Sequence, residues 1–223
     1  MKKKSRSKIS RQQIFVVLIW LAIGAVVGYV LGALIGGNHP PGFTLGWRLL
    51  LIPAMLISWI FCVGFHELGH VVAGLGARFS FRMFILGPFM LERDSHGLSF
   101  KWNRDFNLAG GMAMMLPTDD QGLRSRFTAY AMGGPLASLL LAIACILVSN
   151  SGVFGSAPSA YFLEQGLFLT GLISGLIFIL SALPMQAAGF LTDGARILQL
   201  LRGGPRAEPH HRPVEKRPSA FRA

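Results

Sequence analysis

Apolar residues run through this chain in blocks, and four blocks approach or exceed the ~20 consecutive apolar residues that a helix needs to cross a bilayer. They are Ile14 to Gly37, Leu49 to about Leu75, Phe127 to Val148 and Phe162 to Leu183. Between the second and third blocks the period changes. Phe79, Phe81 and Met83 alternate with Ser80 and Arg82, and after a turn-like Arg93-Asp94-Ser95-His96-Gly97, Leu98, Phe100 and Trp102 alternate with Ser99 and Lys101. That period of two predicts a β-hairpin lying against the membrane. Leu108 to Pro117 (LAGGMAMMLP) is too short to span and reads as an interfacial or re-entrant piece. The expected fold is an all-α polytopic membrane protein of about four transmembrane helices with a membrane-associated β-hairpin. Its expected parts are a basic N-terminus (1–13), one membrane-embedded domain (14–201) and a disordered, basic, proline-rich tail (202–223).

Composition agrees with the pattern. Of 223 residues 52% are hydrophobic and 14% charged, against about 25% charged in an ordinary soluble domain. The net charge of +11 would fit a nucleic-acid partner in a soluble protein, but here the basic residues lie between apolar blocks. Under a four-helix reading, 20 of the 21 Lys and Arg fall on one side. A multi-pass protein of the cell membrane with both termini cytoplasmic is therefore expected, its basic ends drawn to anionic lipid, with no nucleic acid as partner. Cys62 and Cys145 lie inside apolar blocks and read as small packing residues.

Gly24, Gly28, Gly32 and Gly36 form a small-xxx-small stripe on the first block. Such a stripe lets another helix approach closely. Packing within the chain is the first expectation, a homodimer through this face the second.

The chemistry concentrates in Phe65-His66-Glu67-Leu68-Gly69-His70, an H-E-x-x-H sequence inside the second block. On a helix, histidines four apart share one face, so both imidazoles can bind one zinc ion while Glu67 acts as base toward a water the metal polarises. Two packed histidines beside an incidental glutamate would be the bland alternative. An ionised acid at mid-membrane, however, costs about 2.5 to 3.5 kcal/mol on insertion scales and marks function.

Zinc needs a third protein ligand. Glu164 lies toward the outer end of the fourth block, and Asp94, Asp105, Asp119 and Asp120 belong to polar loops. Asp193 follows the fourth block at its cytoplasmic end, where Pro184 and Gly189 can fold the chain back into the bilayer. Helix geometry puts His66 and His70 ~8 to 14 Å below the cytoplasmic surface and favours Asp193. The alternative is that Asp193 merely caps a short helix over 195–201. His39, His96, His210 and His211 read as solvated.

With these motifs the chain resembles the site-2 protease family of intramembrane zinc metalloproteases. The resemblance rests on His66-Glu67-Leu68-Gly69-His70, on Gly134-Pro135 and on Asp193-Gly194, and covers Leu49 to Leu201. It implies zinc (Zn2+) held by His66, His70 and Asp193, Glu67 as the catalytic base, and hydrolysis of a peptide bond within or beside a transmembrane segment of a membrane-bound substrate. Two departures stand out. Ser138 and Ser181 occupy positions where the family pattern has asparagine, and nine positions, not five, separate Pro184 from Asp193. The competing functions are a membrane-anchored zincin that degrades cytosolic-side proteins and a non-catalytic membrane scaffold of the same fold.

Overall fold

The computed structural model of the chain describes residues 21, 24, 26–29, 32, 39–95, 97–104, 110–187 and 190–203. The basic N-terminus, Gly36, Asp105, His96 and all of the tail beyond residue 203 lie outside them.

Three long helices form the frame: α1 (Leu45–Gly76), α2 (Leu123–Ser149) and α3 (Pro158–Ala182). Each is long and apolar enough to cross a membrane. Many of their large apolar side chains, among them Ile57, Leu140 and Leu147, face outward, as lipid rather than water would require. α1 and α2 cross backbone to backbone at Gly69 and Gly133, where a Cβ on either glycine would collide with the other's carbonyl. Gly171 of α3 admits Ile146 and Cys145 of α2 in the same way. Small residues thus set both crossings, since lipid gives no hydrophobic drive for helices to associate and close van der Waals contact must supply it. The buried centre is Cys62, Leu169 and Ile173.

The described part of the first apolar block is helical. Val26 and Tyr29 pack against that centre, and the Tyr29 hydroxyl donates to the Gln165 side chain. Gly24, Gly28 and Gly32 have nothing within 4 Å of an added Cβ. The expectation that this stripe packs within the chain is therefore corrected for the described residues: the inward face is Val26 and Tyr29, because their larger side chains fill the groove over Cys62.

The 76–122 connection is a sheet rather than one hairpin, so all-α does not describe the fold. Strands β1 (Phe79–Leu86), β2 (Phe89–Asp94), β3 (Gly97–Trp102) and β4 (Met112–Pro117) form an antiparallel sheet in the order β3-β2-β1-β4. The turn expected at 93–97 exists, but it joins β3 to β2, which pairs in turn with β1 through Met83↔Glu92 to Leu86↔Phe89. Gly87, at φ 55°, with Pro88 makes the turn between β1 and β2. The supposed re-entrant piece contains β4, which pairs with β1 from Phe79↔Pro117 to Ile85↔Met112 across a bulge near Phe81. Its apolar run carries no period, because one face packs on the helices while the other stays apolar beside the membrane.

Arg126 joins sheet to helices. Its guanidinium donates to the carbonyls of Ala77, Arg78 and Asp119, pairs with the Asp119 carboxylate at 2.7 Å and lies over the Phe79 ring. These bonds hold Arg78, a non-glycine residue at φ 59°, in the corner where α1 turns into β1.

Candidate metal centre

His66, Glu67 and His70 lie on the last third of α1, with both histidines buried. Each ring is held by its Nδ1. The Ser138 hydroxyl lies 2.9 Å from His66 Nδ1, and the Tyr130 carbonyl lies 2.8 Å from His70 Nδ1. A carbonyl can only accept, so the Tyr130 contact matches a proton on His70 Nδ1, the form that leaves Nε2 for a metal, while the Gly134 N–H stands 3.3 Å from the same nitrogen. Ser138, fully buried, is anchored in turn where Ser174 Oγ donates to its carbonyl at 2.8 Å. The serine standing at one of the family's asparagine positions thus orients a histidine. Ser181, at the other, turns back onto the Phe178 carbonyl at 3.2 Å.

Asp193 arrives by a reversal after α3. The chain leaves the helix at Leu183, pairs Gln186–Ala187 (β5) with Phe190–Leu191 (β6), and enters α4 (Asp193–Leu201). The Thr192 hydroxyl is the hub of this turn: it donates to the Leu183 carbonyl at 2.5 Å and accepts from the N–H groups of Met185 and Ala195. Thr192, and not Asp193, is therefore the helix cap, which leaves the aspartate side chain free to point inward. Gly194 sits against the backbone of Ala182 and Leu183, where any Cβ would clash. The Asp-Gly pair is one acid for the site and one residue without a side chain for the crossing.

Asp193 Oδ2 lies 3.2 Å from His66 Nε2 and 3.3 Å from His70 Nε2. Ligand atoms ~2.0 to 2.1 Å from a tetrahedral zinc ion stand ~3.3 Å apart, which both histidine-to-aspartate separations match, and all three ligand atoms lie within 4.8 Å of one another. They are also the one group of three or more His, Cys, Asp or Glu among the described residues that could share a metal. The other acids do not converge. Glu164 is 18 residues of α3 away from Ala182, ~27 Å along the helix, Asp94 closes the β2–β3 turn, and Asp119 pairs with Arg126. His39 is not solvated as expected: both ring nitrogens are buried, among Phe43 and Tyr161.

Gly134 makes room for the ligands. A Cβ there would overlap His70 Nε2 and stand 2.6 Å from His66 Nε2. Over the opposite side, Gly111 at φ 122° lets the chain entering β4 cross Glu67, whose side chain lies within 3.4 Å of where a Cβ would stand. Tyr130 fastens the same strand, its hydroxyl donating to the Ala113 carbonyl at 2.5 Å. A cleft of about 410 Å³ opens above Glu67 between β4, α2, the end of α3 and α4. Sequence reasoning missed Tyr130, Thr192 and Gly111, for which the residue pattern offers no signal, and found Gly134 only through the family resemblance.

The model of Peptidase family M50 matches residues 54–166, half of the chain. The chain belongs to this family. No curated protein and no solved structure matches it. Members of the M50 family are in general zinc metalloproteases of the site-2 protease type, and the described residues of this one include three helices apolar enough for a membrane. The match takes in both histidines, Glu67 and Gly134, and ends before Asp193. Asp193 thus stands on the geometry of the site.

Proposed function

We propose that this M50 family member is an intramembrane zinc metallopeptidase that hydrolyses a peptide bond in or next to a transmembrane segment of a membrane-bound substrate. The observation that carries the reading is the convergence of His66 Nε2 and His70 Nε2 on Asp193 Oδ2, with Glu67 beside them facing the cleft. In this reading His66, His70 and Asp193 hold zinc, which supplies Lewis acidity toward a water and toward the substrate carbonyl. Glu67 accepts the proton of the attacking water and returns it to the leaving amine. The Tyr130 carbonyl favours the His70 tautomer that offers Nε2, and the Ser138 hydroxyl holds the His66 ring in orientation. The apolar lining from Ile177, Leu180 and Leu191 limits competing water.

A substrate helix must unwind to be cut, and unwound backbone inside a bilayer needs hydrogen-bond partners. β4 is an edge strand and its start lines the cleft, so it can take the substrate as an added strand. β1 is flanked on both sides and cannot. His70 and His66 lie six and ten residues before the end of α1, ~9 to 15 Å along the helix, which sets the cut near the cytoplasmic end of the substrate segment. The chain sits in the cell membrane with both termini cytoplasmic, its basic ends on anionic lipid. The outward Gly24, Gly28 and Gly32 leave a face open to a second copy. The half-buried Glu67 inside a spanning helix disfavours a scaffold, and an H-E-x-x-H sequence in that helix disfavours a cytosol-facing zincin.

The test uses the full chain in phosphatidylcholine vesicles with single-span peptides as probes. Glu67→Gln is expected to keep zinc and to lose cleavage by at least about a hundredfold. Equal cleavage by both proteins would overturn the reading.

A further inference from the structure

One charged group in the cleft has no part in the mechanism above. Arg196 lies three residues beyond Asp193 on α4, is exposed, and is the one Lys or Arg lining the cleft. Its guanidinium forms no ion pair or hydrogen bond with any described residue. It shares the lining of the cleft with Tyr130, whose hydroxyl fastens β4.

Charge counting gives the site a direction. Glu67 and Asp193 together carry two negative charges, which a divalent ion balances, and Arg196 then leaves the cleft one positive charge in excess. The rest of the lining near it is mostly apolar, with Ile177, Leu180 and Leu191, and such walls strengthen an ion pair formed once substrate displaces water. A guanidinium presents a planar fork of donors that matches a carboxylate in a two-point contact.

We propose that Arg196 is a specificity-determining residue that receives the carboxylate of an acidic side chain in the substrate segment crossing the cleft. The proposal rests on the peptidase reading and names the substrate class of that site: membrane-bound peptides with one Asp or Glu near the scissile bond. An extended segment on the β4 edge advances ~3.3 Å per residue, and Arg196 is about one helical turn, ~5 Å, beyond Asp193 before its own arm is counted. The acidic position therefore falls within about three residues of the cut.

The test uses the full chain in phosphatidylcholine vesicles. The probe is a set of single-span peptides randomised through the cytoplasmic third of the span, with cut sites read by mass spectrometry. Wild-type protein is expected to prefer Asp or Glu over Asn or Gln by about tenfold at one fixed position. Arg196→Lys should retain a weaker preference, and Arg196→Glu should invert it toward Lys and Arg while zinc content stays at one per chain. C-terminally amidated probes separate the two sources of carboxylate: a preference that vanishes on amidation belongs to the chain terminus and overturns the side-chain assignment. Glu67-dependent cutting with no acidic preference in the wild type overturns the proposal alone. A rate that follows Arg196 only when anionic lipid is added, without a preference at any substrate position, moves the arginine to the membrane surface and also overturns it. No Glu67-dependent product at all overturns the peptidase reading and the proposal with it.

Discussion

Gly134 of α2 lies so close to His70 of α1 that a single added methyl would overlap the Nε2 atom proposed to bind metal. Gly134→Ala is accordingly expected to abolish zinc binding although alanine favours a helix over glycine by about 1 kcal/mol. Metal analysis of the purified protein, with helix content by circular dichroism as control, checks this. A variant with full zinc would mean that the two helices can part without cost.

Alanine at His66, His70 or Asp193 should each remove zinc, because two remaining ligands do not hold the ion. Competition against a chelator measures it. Asp193 lies beyond the residues matched to the family, so full zinc in Asp193→Ala would strike it from the ligand set.

Ser138→Ala removes the partner of His66 Nδ1 without touching a ligand atom. The expected loss is about 10- to 100-fold in zinc affinity. Tyr130→Phe is the contrast. It keeps the backbone carbonyl that holds His70 and loses the hydroxyl on Ala113, so zinc should stay and turnover should fall as β4 loosens.

Proline at Phe81 or Met83 should slow turnover without releasing zinc, which is held by helices. The reason is the order of the sheet: β1 is central, and proline there interrupts the ladders to its neighbours. Protease sensitivity of the 79–117 segment should rise in parallel. Unchanged turnover would separate the sheet from catalysis.

Reporter fusions at Asn150 and after Arg202 should give opposite signals, since one apolar helix, α3, lies between them. Equal signals would remove α3 as a span and with it the shared depth of Asp193 and the histidines.

The residues themselves determined which segments are apolar helices, because about 20 apolar residues in a row have few other uses. They also determined the H-E-x-x-H pair, because four-residue spacing on a helix is a local geometry. Asp193 was legible as a candidate, since its depth follows from helix length and the direction of the chain. What the sequence could not decide depends on elements meeting. Met112–Pro117 became a strand because β1 offered a partner; an apolar run with no period is equally compatible with a re-entrant helix. Whether Asp193 caps a helix or faces the histidines was settled by Thr192, whose hydroxyl takes the cap through bonds to residues on both sides of the reversal. The partners of the two histidines, Ser138 and the Tyr130 carbonyl, come from α2, and only the close crossing at Gly69 and Gly133 brings α2 within reach. Local periodicity carries information about one element at a time, and a candidate metal site assembled from three helices is a property of how they pack.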